Sequence, residues 1–350
     1  MTGTPPDVVC LGESMVTFLP TRPGRLADVP SFDRAIGGAE SNVACALAAA
    51  GYRAKWVGRV GCDGFGDHLT EAIGAYGVDV SAVVRDPARP TGVYFRTATD
   101  RATEAHEVAY YRAGSAASAM SPETVPHGTF AGARVLHVSG VTAALSDSCL
   151  ALMRALTARH GRPRRPLLSF DVNFRPRLWA DAAAGGRTLL ELARGADLVF
   201  VGADEAEAAW GTGDPYAIRA ALPEPGLLVV KGGAKGATVF ERRATGADGP
   251  VPRDAVTHVP APRVDVVSPV GAGDAFAAGF LVGTLRGLGV RARVRHGHLM
   301  AAAALTVPGD LAVPPGRART DRLVALDDEA WGTLHLGPGW TGDDQEVRTP

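Results

Sequence analysis

Six short apolar runs, each the length of one buried strand, limit what this chain can fold into. They read "DVVCLG", "AKWVGRVG", "ARVLHVSG", "PLLSFDVN", "ADLVFVG" and "GLLVVKGG". Valine and leucine fill successive positions rather than alternate ones, so both faces of each strand must be covered. Between the runs lie alanine- and leucine-rich stretches of helical length: Glu40 to Ala50, Gly66 to Tyr76, Asp147 to His160, Arg187 to Arg194 and Glu205 to Trp210. Buried strands alternating with helices predict an α/β fold, a doubly wound and mainly parallel sheet with helices on both faces. Ligands of such sheets bind beyond the carboxyl ends of the strands. The glycine and polar endings of the runs are therefore where chemistry is expected.

Two segments break the alternation. Met15 to Ala35 and Thr91 to Arg112 carry "MVTFLP", "GVYFRTAT" and "HEVAYYR", which read as half-buried strands with polar alternates. They are expected to pair as a small antiparallel sheet, a lid over the carboxyl edge. The resulting division is a core of residues 1–14, 36–90 and 113–330, a lid of 15–35 and 91–112, and a tail of 331–350. The tail, rich in glycine and charge, is expected to be loosely ordered. An exposed lid edge predicts pairing between subunits, as a dimer through the lid or a higher homo-oligomer.

Composition excludes several functions. The 350 residues hold 36 Lys plus Arg against 37 Asp plus Glu, with no block of either sign, so no nucleic-acid partner is indicated. The four cysteines, Cys10, Cys45, Cys62 and Cys149, lack metal-type spacing and suit a reducing compartment. His106, His137 and the other histidines also lack metal spacing and read as structural or surface groups. The start, "MTGTPPDVVCLGE", has no secretory pattern, and no run approaches the roughly 20 apolar residues that span a bilayer. A cytoplasmic protein acting on small molecules, with no membrane partner, is the expectation.

The stretch "VSPVGAGDAFAAGFL" holds the sharpest chemical signal. Gly271 and Gly273 allow close approach to the backbone, and the apolar run from Ala275 to Leu285 reads as a buried helix. The first N–H groups of such a helix are unpaired and point at a ready anion site. A carboxylate there, Asp274, is out of place beside a permanent anion. It fits a transient one, if Asp274 takes a proton from the group that attacks it. A plain helix cap would also place an aspartate there.

"GGAESNVACALAAAGYRAKWVGRVGCDGFGDHL" from Gly37 and "VGAGDAFAAGF" from Val270 resemble the two signatures of the ribokinase-like (PfkB) carbohydrate kinases. The resemblance runs from about Val8 to about Pro314. It implies ATP-dependent phosphorylation of a sugar hydroxyl with Mg2+, on a doubly wound core with a β-sheet lid. Asp274 is then the general base, and the N–H groups of Gly271, Ala272 and Gly273 form the anion hole. In "VVKGGAKGATVF", Lys231, Gly233, Ala234 and Gly236 resemble the nucleotide loop; a plain hairpin with glycines at its turn would look alike. Glu205 takes the place of a glutamate that organises Mg2+ through water, while the asparagine expected three residues earlier is Gly202. Ser268 stands where the family usually has an aspartate supporting a monovalent cation, which puts potassium activation in doubt.

For the acceptor, the resemblance implies an acid sugar, as in the branch that acts on 2-keto-3-deoxygluconate. Gly38, Ala39, Glu40 and Asn42 form the sugar-contacting turn. Tyr110 and Arg112 end a lid strand in "AYYRAGSAAS", and Asn173 and Arg175 end another strand in "FDVNFRPRLW". Tyr94 and Asp310 match further sugar contacts. Arginine suits a carboxylate through its paired, charge-assisted hydrogen bonds. Arg175 faces either the sugar or an ATP phosphate, with Asn173 on the nucleotide side. Two other readings stay open: a fructokinase- or ribokinase-type enzyme for a neutral sugar, and a non-catalytic sugar sensor on the same fold.

Overall fold

A computed structural model describes residues 4–97, 107–158, 166–243 and 254–342. His106, the end of the helical stretch to His160 and the last residues of the tail, 343–350, lie outside the described residues.

All six apolar runs form strands. Val8–Leu11, Ala54–Val57, Val135–Ser139, Leu167–Asp171, Leu198–Gly202 and Leu227–Lys231 lie parallel in one sheet of eight. Ala237–Arg242 and Asp254–Val259 extend it antiparallel at one edge. Period-two geometry sends neighbouring side chains to opposite faces. Val8 and Cys10 join one core with Phe200 and Val229, under the helices Ala39–Ala49, Ala272–Leu285 and Val290–Leu305. Val9 and Leu11 join the other with Phe170, Val199 and Val230, under Asp147–Thr157, Ala182–Arg194 and Ala203–Trp210. Successive apolar residues are thus explained by two cores, one on each face.

Strand order locates the crevice. Val8–Leu11 lies between Ala54–Val57 on one side and Val135–Ser139 on the other, and the later strands all add beyond Val135–Ser139. The winding reverses beside Val8–Leu11, and a ligand crevice opens at the carboxyl end of such a reversal.

The lid is a separate four-stranded sheet in the order Phe32–Gly37, Met15–Pro20, Val93–Arg96, Val108–Tyr111. It is mixed rather than antiparallel: Met15–Pro20 and Val93–Arg96 run parallel, because helix-containing chain between them returns the second strand in the same direction. The run "AKWVGRVG" also splits. Its second half, Arg59–Gly61, leaves the main sheet to pair with Val84–Asp86.

As far as Gly342, the tail departs from expectation. His335–Leu336 pairs with Arg263–Val264, and Leu334, Leu336 and Trp340 are buried in the core with Trp331. Glycine and charge dominate this stretch, but three large apolar side chains spaced along it suffice to anchor it. Leu334→Ala is expected to destabilise the fold by about 2–5 kcal/mol, the usual range for emptying a buried leucine site. A urea unfolding curve should show a lower midpoint at unchanged slope. An unchanged midpoint would mean the tail is not part of the cooperative core.

Candidate active site

Three parallel strands deliver charged groups to one edge. Asp171 ends Leu167–Asp171, Lys231 ends Leu227–Lys231, and Glu205 sits in the first turn of the helix that follows Leu198–Gly202. Lys231 Nζ donates to both oxygens of Asp171, at 3.1 and 2.9 Å. Burial works to lower the proton affinity of this ammonium, but Asp171, Glu205 and Asp274 together leave it raised.

The helix Ala272–Leu285 begins opposite them. Gly271 caps it with φ 78°, and a Cβ there would overlap the carbonyl oxygen of Asp310. Glycine is required on both counts. Lys231 Nζ lies 3.6 Å from the point where a Cβ on Gly273 would sit. A cation and the positive end of a helix dipole therefore face one place. Asp171 balances the cation from below, and an anion entering from above would meet the ammonium and the unpaired N–H groups together.

Asp274 stands in the first turn of that helix and accepts a hydrogen bond from Asn42 Nδ2 at 2.9 Å. Its side chain is partly open to solvent. Even so, burial pushes its carboxyl up to about 8; Asn42 and Lys231 pull it down, while Asp171 and Asp310 push it further up. A carboxylate with this affinity is a competent proton acceptor.

Next to Asp274 lies a second group of polar residues. Asp310 accepts from Tyr94 Oη at 3.2 Å and from Arg96 Nη2 at 2.9 Å, and all three are buried. Gly38 and Ala39 open the helix Ala39–Ala49, which carries Asn42 to Asp274. Tyr110 is exposed at the end of the lid, with the Arg112 guanidinium 5.8 Å from its ring centre.

On the other flank, Gly233 and Ala234 are exposed in the short turn Gly233–Lys235, and Gly236 is buried behind them with φ 106°. The turn joins two antiparallel strands, so this glycine loop is a hairpin in form, with its backbone open to the site edge. Asn173 is the one non-glycine residue of positive φ among the described residues, at 41°, and its buried Oδ1 has no hydrogen-bond partner. Arg175 is exposed and reaches Glu205 Oε1 at 3.4 Å. The other oxygen of Glu205 accepts from Gly202 N at 3.0 Å, closing the start of its own helix. Ser268 is buried, and its Oγ accepts from Val270 N at 3.4 Å. His137 is buried against Ser169, and burial holds it neutral, down to about 3.

Two expectations need correction. Glu40 does not reach the sugar side. It is fully buried, and its Oε1 accepts from Ser139 N, Ser139 Oγ and Thr142 Oγ1 at 3.1, 2.8 and 2.8 Å. A Cβ on Gly12 would overlap its carboxylate, so Glu40 fills the crevice floor where the strand order reverses. Arg112 is not a free lid cation: it pairs with the buried Glu13, which also accepts from Ser115 Oγ at 2.6 Å. Asp310 keeps a place beside Asn42 and Asp274, with Arg96 and Tyr94 each holding one of its oxygens.

Asp171, Arg96 and Glu13 are charged groups of this region that sequence reasoning passed over. Asp171 had a signal, a charge closing the apolar run "LLSFD". Arg96 and Glu13 had none, since each acquires meaning only from a partner distant in the chain.

Residues 5–315 match the pfkB family carbohydrate kinases. A 2-dehydro-3-deoxygluconokinase of Thermoproteus tenax is 35% identical over 324 residues, 91% of this chain and 95% of that protein. A second, of Bacillus subtilis (strain 168), is 35% identical over 340 residues, 95% of this chain and 98% of that protein. An uncharacterized sugar kinase of Pyrococcus horikoshii, solved in complex with ATP, aligns with a TM-score of 0.74 at 25% identity, covering 92% of this chain and 98% of that one. No described helix is long and apolar enough to cross a membrane. The family match over residues 5–315 and the relatives at 35% identity along almost their whole length, on a doubly wound sheet with a carboxylate beside a helix start, place the chain in the pfkB family of carbohydrate kinases.

Proposed function

We propose that this kinase transfers the γ-phosphoryl group of ATP to the 6-hydroxyl of 2-keto-3-deoxygluconate. The substrate assignment is carried by one observation: 35% identity to two kinases of that name over nearly their full lengths. ATP as donor is supported by the nucleotide in the similar Pyrococcus horikoshii sugar kinase and by the open glycine turn Gly233–Lys235.

The chemistry follows from the groups at the strand ends. The hydroxyl oxygen bonds to the γ-phosphorus while the bond to the bridging oxygen breaks, and ADP leaves. The hydroxyl proton passes to Asp274. Charge on the transferring group is met by the N–H groups at Gly271, Ala272 and Gly273 and by Lys231. Asp171 keeps the ammonium aimed there. Arg175 and Asn173 lie on the nucleotide flank, and the unpartnered Asn173 Oδ1 is a free acceptor for it.

Mg2+ fits this donor set as an ion held mainly by phosphate and water. Among the described residues no three His, Cys, Asp or Glu side chains cluster as a metal site. Glu205 has one oxygen committed to Gly202 N and the other in a long contact of 3.4 Å with Arg175 Nη1, which leaves that oxygen room for a contact through water. When bound, the ion would neutralise phosphate charge.

On the acceptor side, Arg112 keeps a role despite its pairing. Glu13 holds the guanidinium in place, and the buried Nε–H has no hydrogen-bond partner. A substrate carboxylate reaching that donor would satisfy it. Asn42 contacts Asp274 directly, and Gly38, Ala39, Tyr94 and Asp310 are the sugar contacts that accompany it in this reading.

Asp274→Asn keeps size and loses basicity. Turnover is expected to fall roughly 10²–10⁴-fold, the usual worth of a general base, with nucleotide binding retained. Activity within threefold of the parent would remove Asp274 from this role. The base works only when deprotonated, and its carboxyl is raised to about 8. Catalytic efficiency should therefore climb with pH up to a midpoint near that value and then level. A profile already flat at pH 6 would show an ordinary carboxylate.

Arg112→Leu tests the acceptor. A charge-assisted hydrogen bond is worth about 1.5–3 kcal/mol, or roughly 10–150-fold at about 1.4 kcal/mol per tenfold. That loss is expected in efficiency for 2-keto-3-deoxygluconate and much less for fructose, which has no carboxylate. Arg175→Leu should instead hurt both alike. Equal losses for both sugars in Arg112→Leu would favour a neutral-sugar kinase.

A further inference from the structure

The stretch from Pro260 to Val270 joins the edge strand Asp254–Val259 to the Gly271 turn. Its start is packed on the glycine loop: a Cβ on Gly236 would overlap the carbonyl oxygen of Val259, which leads into it. Its end is held by Leu305, whose carbonyl accepts from Val267 N and Ser268 N at 2.7 and 3.2 Å. A donor that reaches from the turn Gly233–Lys235 to the anion hole therefore passes along this stretch. Val266 and Val267 stand there 48% and 40% exposed, apolar side chains left in water beside that path.

The middle of the stretch pairs with the C-terminal tail, in a two-stranded sheet of its own. The tail lies beyond the residues that match the family. Arg263 N donates to Leu334 O at 2.9 Å, and Asp265 N to Leu336 O at 3.0 Å. Trp331 Nε1 donates to Pro260 O at 2.9 Å, and His335 Nε2 lies 2.8 Å from Asp265 Oδ1. A pairing this short does not stand alone in water. Its order is supplied by Leu334 and Leu336, which root the tail in the core. The same core reaches the helix of Asp274: Trp331 makes a ring contact with His298, and His298 one with Phe276.

We propose that the tail strand His335–Leu336 is a strap for the donor nucleotide, with Leu336 as its positioning residue: by holding Arg263–Val264 it fixes the wall along which ATP lies, without touching the acceptor. This rests on the kinase reading above, with ATP as donor. Coupling of this kind is reciprocal. A nucleotide that needs the wall in place must hold the strap down by the same factor that the strap adds to nucleotide affinity.

The test has two parts. The first uses the parent: amide hydrogen exchange over residues 331–342, alone, with saturating ADP, and with 2-keto-3-deoxygluconate. ADP is expected to slow exchange there roughly fivefold or more, the lower end of usual couplings between sites. The sugar acid alone should leave it unchanged. The second compares Leu336→Ala with Leu152→Ala, which empties a buried site in the core on the other face of the sheet. In Leu336→Ala, Kd for ADP and KM for ATP are expected to rise roughly fivefold or more. Its kcat and its KM for the acceptor should stay within about twofold of the parent, below any usual coupling. Leu152→Ala should lower the melting temperature and leave KM for ATP as it was.

Tail exchange in the parent that is indifferent to bound ADP would overturn the proposal, even where Leu336→Ala fails to fold. So would a folded Leu336→Ala enzyme whose tail exchanges faster while ADP binds as in the parent. A rise in KM for ATP no larger than in Leu152→Ala would leave the tail as packing alone. Failure of the underlying reading looks different: the parent itself would bind no ADP, which would remove ATP as donor and the strap with it.

Discussion

Everything in the site is arranged around one electrostatic conflict. An ammonium, Lys231, and the positive end of the helix Ala272–Leu285 converge on the same volume. Neither can turn away, since Lys231 is fixed by strand pairing and by both oxygens of Asp171, and the helix is packed on all sides. Asp171 makes the arrangement tolerable without filling the volume. In the proposed reaction a transferring phosphoryl group, with charge spread over its oxygens, would resolve the conflict in full. The fold would thereby hold its transition-state stabilisation ready before any substrate arrives, which is the condition for such groups to act without reorganisation.

Asp274 lives in the same field with the opposite sign. Two carboxylates and burial make its proton affinity high; Asn42 and Lys231 moderate it. A base tuned near the working pH gives the best product of correct protonation and basic strength. The same crowding that makes Asp274 a poor resident of the native state suits it to the proposed role of accepting a hydroxyl proton.

The lid is coupled to this centre through ion pairs rather than apolar contact alone. Arg96 meets Asp310, and Arg112 meets Glu13 at the end of the first strand. Ion pairs and hydrogen bonds are directional where apolar contact is not, so they specify how the lid sits as well as that it sits. Glu40 does a related task below, binding the helix Ala39–Ala49 to Ser139 across the strand-order reversal.

By itself the sequence determined the layers and the location of the chemistry. Continuous apolar runs require cover on both faces, alternating helices supply it, and polar strand ends mark the ligand edge; these are local patterns, read within about ten residues. Asp274 and the Gly271 turn were legible for the same reason, since glycine, glycine and aspartate before an apolar helix state their geometry in four letters. The tertiary structure decided what depends on distant partners. Glu40 was read as a sugar contact from its place in the turn that the resemblance assigns to the sugar, but Ser139 and Thr142 arrive from about a hundred residues away and bury it. Arg112 lost its freedom to Glu13, Asp310 gained in Arg96 a partner that no local pattern announced, and a glycine-rich tail was pinned by the fit of Leu334, Leu336 and Trp340 into the core. A side chain's charge is written in its own letter, whereas its neutralisation is written in whichever residue the fold sets against it.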